Sequence, residues 1–164
     1  ARREWHAVAR LLDIEIDFKV GGRFACPECG KADCPVHDTV KKTWRHLNFF
    51  QHDCHLEVRV PRLRLPDGKV ALVEPDWVGK LAGFTLLFEA LALSLCQTLP
   101  VAQAANQLRV ASKRLWRRIE HYVGIARQRD EMTDVRVVGI DETSLKKGHN
   151  YVTVVHDLEA RRLL

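Results

Sequence analysis

The chain lacks an apolar run long enough to cross a bilayer. Its most apolar stretch, residues 84–96, contains Glu89 and is shorter than the ~20 residues that a membrane helix needs. A buried helix is therefore predicted there. Secretory signals, fixed-period repeats and low-complexity tracts are also not visible in the sequence. These absences predict a folded cytoplasmic protein that does not bind membranes.

Cysteine is scarce and odd in number. The chain has five cysteines, two of them in the tetrapeptide CPEC. A secreted disulfide framework usually has an even number of cysteines, so a reducing compartment with metal-bound or free thiols is predicted instead. No HExxH motif is present, and a catalytic zinc is therefore not expected.

Basic residues outnumber acidic ones. The chain has 26 Lys plus Arg against 21 Asp plus Glu, which gives a net charge of +5 and favours polyanionic partners. Their clustering is more informative than their number, because cations gathered on one helical region suit a phosphate backbone. That predicted region holds Lys113, Arg114, Arg117, Arg118, Arg127 and Arg129.

The first part of the chain has strand patterns. Residues 12–18 and 56–65 alternate apolar and charged side chains, as half-buried strands do. Pro61 lacks an amide hydrogen, so an edge or bent strand is predicted there. Residues 66–68, Pro-Asp-Gly, indicate a turn that leads into a returning strand. Residues 23–55 are predicted to be rich in turns.

The second part of the chain changes to helical periodicity. This periodicity runs from about residue 84 to 129 with a break at 99–100, and strand-like sequence returns at 135–140 and 151–155. The prediction is a multi-unit α+β protein. It has a small β-rich zinc-binding domain (1–77), a three-helix helix-turn-helix domain (78–131) and the start of a further α/β domain (132–164).

A cluster of possible zinc ligands follows the spacing C-x2-C-x4-C-x2-H. Its members are Cys26, Cys29, Cys34 and His37. Structural zinc takes four Cys or His ligands in a tetrahedron, and the CxxC turn brings two thiolates to one metal. Other residues could supply the third and fourth ligands, namely His52, Cys54 and His55. The alternative reading is a set of free thiols and solvated histidines.

Residues 100–123 have the pattern of a helix-turn-helix. Small Ala104 and Ala105 permit close helix crossing, and Ser112 is placed to cap a second helix whose apolar stripe includes Leu115 and Trp116. The exposed side of that helix is predicted to enter a major groove. Its predicted DNA-binding residues are Lys113, Arg114, Arg117 and Arg118. The alternative is a helical hairpin whose basic face is merely solvated.

Asp141 follows the β-branched run at 135–140 and is predicted to lie at a strand end. A carboxylate at such a position is a common ligand for Mg²⁺, although a turn or capping role is the more frequent one. Two-metal phosphoryl transfer needs additional carboxylates.

Taken together, these segments resemble transposases of the ISL3 insertion-sequence family. The resemblance is carried in chain order by FACPECG (24–30), CPVHD (34–38), WRHLNFFQHDCHLEVRVPRLRLPDG (44–68), GFTLLFEALALSLCQTLPVAQAANQL (83–108), LWRRIEHYV (115–123) and VGIDETSLKKGHNYVTVVHDLEARRLL (138–164).

The resemblance implies a zinc-binding domain, a helix-turn-helix domain and an RNase H-like DDE core. It implies that Asp141 is the first catalytic carboxylate and a ligand of Mg²⁺, with the later Asp and Glu of the triad having no counterpart up to Leu164. It also implies a second Cys pair after the segment RVPRxR, where this sequence has Leu65 and Gly68.

The expected function is that of a transposase, in fragment or truncated form, that binds double-stranded DNA at terminal inverted repeats. Mg²⁺-dependent phosphodiester cleavage and strand transfer would belong to the complete core, and with one carboxylate of three this chain alone is predicted to be inactive. One alternative is a catalytically inactive regulator that occupies the repeats, forms a homodimer or joins full-length transposase. The other is a protein-interaction module.

Overall fold

The computed structural model describes residues 2–6, 10–65, 67–80, 83–129, 132–144, 148 and 150–164. The chain divides into two compact units, Ala1–Ile119 and Glu120–Leu164. The described residues form three helices and several sheets, a mixed α/β arrangement that agrees with the sequence. None of the described helices is long and apolar enough to cross a membrane.

The elements are numbered in chain order. The strands of the first unit are β1 (Arg2–His6), β2 (Leu11–Ile16), β3 (Arg23–Phe24), β4 (Cys34–Pro35), β5 (Asp38–Phe49), β6 (His52–Arg64) and β7 (Val70–Leu72). The helices are α1 (Leu86–Thr98), α2 (Val101–Leu108) and α3 (Ser112–Gln128). The remaining strands are β8 (Val138–Ser144), β9 (Tyr151–Asp157) and β10 (Arg162–Leu163).

A long antiparallel hairpin, β5–β6, forms the centre of the first unit. The strand order of its sheet is β1-β2-β6-β5, with β2 parallel to β6 and β7 antiparallel to β6. Alternate residues of the hairpin point into a core around Trp44 and Val60, which are 2% and 0% exposed. The prediction of a turn-rich segment over residues 23–55 is therefore wrong where β5 runs.

Pro61 lies in a central strand, so the prediction of an edge strand is wrong. On one side β6 pairs with β5, where Pro61 is opposite Thr39. On the other side of β6, the Pro61 carbonyl accepts a hydrogen bond from Val73 N. The proline nitrogen faces this second side as well, because the nitrogen and carbonyl of one strand residue point the same way. There the pairing with β2 ends at Val58 and the pairing with β7 begins at Arg62. Proline is tolerated because no ladder hydrogen bond is required of it at this gap.

The three helices form a second core next to the hairpin. Thr85 caps α1 by accepting a hydrogen bond from Phe88 N, and α1 ends before Leu99 and Pro100, as the sequence predicted. Ala104 and Ala105 are 0% and 2% exposed, which confirms the close helix packing predicted for α2. The buried residues of this core are Phe84, Phe88, Ala92, Ala104, Ala105, Leu108 and Leu115.

The second unit contains an antiparallel sheet of strand order β10-β9-β8. β8 extends through Asp141 to Ser144, so this carboxylate lies within a strand. The prediction that it lies at a strand end is therefore wrong. Asp141 is paired with Val154 on β9. The RNase H-like core stays a prediction.

Candidate nucleic-acid interface and metal site

The second helix of the helix-turn-helix, α3, presents three neighbouring side chains to solvent. Lys113 and Arg117 are exposed, and the Trp116 side chain between them is 51% exposed. Residues three and four apart on a helix lie on one face, so these three form a continuous surface, here called the α3 outer face. It combines two cations with one large aromatic ring.

Arg118 does not belong to this surface. It is 5% exposed, and its Nε lies 2.9 Å from Oε1 of Glu89, which is 1% exposed on α1. The prediction that Arg118 lies on the exposed side of α3 is therefore wrong. Its position three residues after Leu115 places it on the core side of the helix. There it joins α3 to α1 through a buried ion pair.

Arg114 is held against the protein in a similar way. Its side chain donates a hydrogen bond to the carbonyl of Gly83 at 3.1 Å, and its guanidinium lies 4.0 Å from the ring centroid of Phe84. Burial lowers the pKa of this guanidinium. Arg114 therefore fixes the start of α3. It is half-buried, whereas the sequence predicted that it lies towards the exposed side of the helix.

Trp116 was assigned by sequence to the apolar stripe of α3, and that assignment is wrong. Leu115, which the sequence assigned to the same stripe, is 1% exposed, which confirms its assignment, and it shares the core side of α3 with Arg118. The difference is one helical step of 100°, which hydrophobicity alone assigns poorly when Leu and Trp are adjacent. The basic residues Lys113 and Arg117, which lie on the same face as Trp116, are the sequence signal that could have placed Trp116 on the exposed side of α3.

The turn between α2 and α3 is anchored to the β5–β6 hairpin. Arg109 ends α2 in the left-handed conformation, with φ of 54°. Its Nη1 donates to Oδ1 of Asp53 at 3.0 Å. The same oxygen accepts from Nη2 of Arg45, 4% exposed, at 2.9 Å. Sequence reasoning missed this carboxylate because its two partners come from separate elements.

The four predicted zinc ligands line one cavity of about 510 Å³. Cys26 is buried, Cys34 is half-buried, and Cys29 and His37 are exposed. Backbone amides of Cys29 and Glu28 are the main reason that the pKa of the Cys26 thiol is lowered. The CPEC turn thus favours a thiolate, the form that binds zinc.

The turn between Leu65 and Gly68, which begins at the lining of the same cavity, differs in shape from the CPEC turn. In the first turn, Gly30 N donates to the Cys26 carbonyl, four residues back. In the second, Gly68 N donates to the Leu65 carbonyl, only three residues back, and Gly68 has φ of 84°. Leu65 is buried against the cavity. Pro66, predicted to open this turn, lies outside the described residues.

The donor set fits a zinc site only in part. Within the described ranges, no three Cys, His, Asp or Glu side chains converge closely enough to hold a metal ion. The Cys34 thiol points to the Lys31 carbonyl at 3.4 Å, and Nε2 of His37 accepts from Arg64 at 3.2 Å. Metal binding therefore requires these two side chains to exchange their present partners for the ion.

The other possible ligands lie elsewhere. Cys54 is 1% exposed in the core of the large sheet, where burial raises the pKa of its thiol. Nδ1 of His55 lies 3.8 Å from Asp13. His52 begins β6 at the opposite end of that strand from the cavity residues Leu63 and Leu65.

Asp141 is exposed on β8, and its Oδ1 accepts a hydrogen bond from Glu142 N at 2.8 Å. No group of three acidic, His or Cys side chains surrounds it in the part of the chain that the structure describes. Its predicted roles as a catalytic residue and as a ligand of Mg²⁺ remain predictions.

Comparison with known proteins identifies two family models in this chain. The helix-turn-helix domain of transposase family ISL3 matches residues 73–123. The zinc-finger of transposase IS204/IS1001/IS1096/IS1165 matches residues 22–66. The first match contains α1, α2 and the α3 outer face, and the second contains the CPEC turn and the β5–β6 hairpin.

Two curated relatives are similar over most of the chain. The transposase for insertion sequence element IS1557 of Mycobacterium tuberculosis is 28% identical over 145 residues, which cover 85% of this chain and 32% of the relative. The transposase for insertion sequence element IS1001 of Bordetella parapertussis is 25% identical over 142 residues, which cover 85% of this chain and 34% of the relative. The chain thus spans about a third of the length of these relatives. No solved structure matches.

Proposed function

Because the chain belongs to the ISL3 family of transposases, we propose that it binds the terminal inverted repeats of an insertion sequence through its helix-turn-helix. The observation that carries this proposal is the α3 outer face, where Lys113, Trp116 and Arg117 are exposed side by side. A helix with such a surface, following a tight turn, is the element that enters a major groove.

The three side chains of this face divide the work of recognition. Lys113 and Arg117 neutralise phosphates, which supplies affinity that does not depend on base sequence. Trp116 lies between them and offers an apolar surface to base edges, for example to the methyl group of thymine. Arg114 and Arg118 take no direct part, because their guanidinium groups hold α3 in position through Gly83, Phe84 and Glu89.

Zinc is the proposed structural metal of the first unit. Cys26 and Cys29 would provide two thiolates, and Cys34 and His37 line the same cavity and would complete the tetrahedron. All four residues come from one short segment, so the ion would fasten the β3–β4 hairpin and its loop.

Catalysis is proposed only for a complete core, and there Asp141 would hold Mg²⁺. The ion would stabilise the charge that develops on the phosphodiester during cleavage and strand transfer. This chain supplies one exposed carboxylate on β8 for that purpose. The predicted domain limits of 1–77, 78–131 and 132–164 belong to the same proposal, as does a cytoplasmic location beside the nucleoid.

DNA binding can be tested by the salt dependence of affinity. Lys113→Ala and Arg117→Ala are each expected to weaken binding of a mixed-sequence duplex and to reduce the slope of log K against log salt by about one. Lys19→Ala is the matched control, since Lys19 is exposed on a loop of the same unit, far from α3 in sequence. Fluorescence anisotropy over a salt series gives both quantities.

Failure of this test has a clear meaning. If the wild-type chain does not bind duplex at low salt, or if the two variants and the control have equal slopes, the α3 outer face does not bind DNA. The protein-interaction alternative would then be favoured. Competition between a terminal-repeat duplex and random duplex separates specific from general binding, because only specific binding survives an excess of random DNA.

A further inference from the structure

The tip of the β5–β6 hairpin presents an aromatic side chain to solvent. Phe50 is 83% exposed, and the neighbouring Phe49 is 43% exposed, with the two rings packed edge to face at 4.8 Å. The pair stands at the end of two long strands, and a register shift between His46 and Phe49 redirects the tip. An exposed aromatic ring on a rigid support is typical of a binding residue.

The backbone at this turn does not favour phenylalanine. Phe49 pairs with His52, so Phe50 and Gln51 form a two-residue connection. Phe50 has φ of 54°, in the left-handed region, where Gly or Asn is the usual residue. A bulky residue there costs stability, and its exposed ring recovers little of that cost by packing. The requirements of the turn therefore do not explain Phe50.

The hairpin tip is adjacent to the turn of the helix-turn-helix. Nη1 of Arg109, in that turn, lies 3.5 Å from the carbonyl oxygen of Gln51 and 3.0 Å from Asp53. Arg109 immediately precedes the residues that lead into α3. The backbone of the tip is therefore joined through Arg109 to the turn that precedes α3.

We propose that Phe50 is a DNA-contacting residue that inserts between bases at the edge of the duplex bound by α3. This inference rests on the proposed DNA-binding function. When α3 occupies a major groove, the turn before it lies near the phosphate backbone. The adjacent tip then faces the neighbouring minor groove, where apolar wedges unstack base steps.

The energetic signature of a wedge differs from that of a phosphate contact. An aromatic ring contributes by stacking and by burying apolar surface, so it releases no counterions. Its loss weakens binding while leaving the salt slope unchanged. A wedge also binds more tightly to a duplex that is already distorted, because less free energy is then required to unstack the bases.

The test measures binding of the chain to two mixed-sequence probes, an intact duplex and the same duplex with a central mismatched step. Phe50→Ala is expected to lower affinity for the mismatched probe about tenfold, with the same salt slope, and to abolish the preference for that probe. Phe50→Trp retains a ring and is expected to keep both. Val20→Ala is the matched control, because Val20 is 90% exposed on a loop of the same unit.

A further variant, Phe50→Gly, distinguishes the role of the ring in DNA binding from its effect on the stability of the turn. It is expected to raise resistance to urea, since Gly accepts a positive φ, while it lowers affinity as Phe50→Ala does. Unchanged affinity and preference in Phe50→Ala, with wild-type binding intact, would overturn the wedge and leave the function of α3 standing. Absence of wild-type binding to either probe would overturn both. A reduced salt slope in Phe50→Ala would also contradict a wedge.

Discussion

Arginine has two different roles on α3, and burial decides between them. Arg117 is exposed, whereas Arg118, its neighbour in sequence, is 5% exposed and paired with Glu89. A buried guanidinium has lost its water and depends on the carboxylate that faces it. The sequence alone treats the two residues alike, since both are basic and both lie within one helical turn.

Glu89 gives a prediction at this scale. Glu89→Ala is expected to lower the free energy of unfolding by about 3–5 kcal/mol, because it removes the carboxylate facing a buried cation. Urea denaturation followed by far-UV circular dichroism measures the change. Glu74→Ala is the control, since the exposed pair between Glu74 and Lys42 is worth at most about 1 kcal/mol. If the two substitutions lower the free energy of unfolding equally, the ion pair between Glu89 and Arg118 does not stabilise the protein as a buried pair.

At the scale of elements, the sequence predicts local features well and distant pairings poorly. The break at Pro100 and the small residues Ala104 and Ala105 lie in one short segment and predicted α1, α2 and their packing. By contrast, β5 was missed because its apolar positions make sense only opposite β6. Pro61 was misjudged because its tolerance depends on where β2 ends and β7 begins.

The candidate sites follow the same rule. Cys26, Cys29, Cys34 and His37 were grouped by their spacing, and the structure brings them to one cavity. The orientation of Arg118 and the shared carboxylate Asp53 could not be predicted, because each depends on a partner from another element. Short-range spacing thus located the cavity of the proposed zinc site, and tertiary packing determined which cations reach solvent.

The CPEC turn gives a prediction at the element scale. The double substitution Cys26→Ser with Cys29→Ser is expected to remove bound zinc, since it deletes both thiolates of the turn. Elemental analysis of purified chain measures the zinc content. Cys96→Ser is the control because Cys96 lies on α1, outside the cavity. Zinc retained by the double variant, or lost by the control, would assign the metal to other residues.

For the whole first unit, the important question is whether the sheet and the helices behave as one body. Asp53 on β6 accepts hydrogen bonds from Arg45 on β5 and from Arg109 at the end of α2. Arg114 of α3 donates to the carbonyl of Gly83, and the same carbonyl accepts the backbone amide of Arg45. These charged hydrogen bonds connect the helix-turn-helix to the hairpin, so the two family domains are expected to unfold together.

Tryptophan fluorescence reports on this in a Trp116→Phe background, which removes the tryptophan of α3 and keeps Trp44 buried in the sheet, while circular dichroism near 222 nm follows mainly the helices. In urea the two signals are expected to change at one midpoint. Asp53→Ala should lower both midpoints together, and the free energy of unfolding by about 1–3 kcal/mol, since buried Arg45 loses a charged partner. Glu15→Ala, which removes an exposed carboxylate, should leave them in place. If only the helical midpoint falls, the helix-turn-helix folds independently of the sheet, and the hairpin does not hold Arg109 and α3 in a fixed arrangement for DNA.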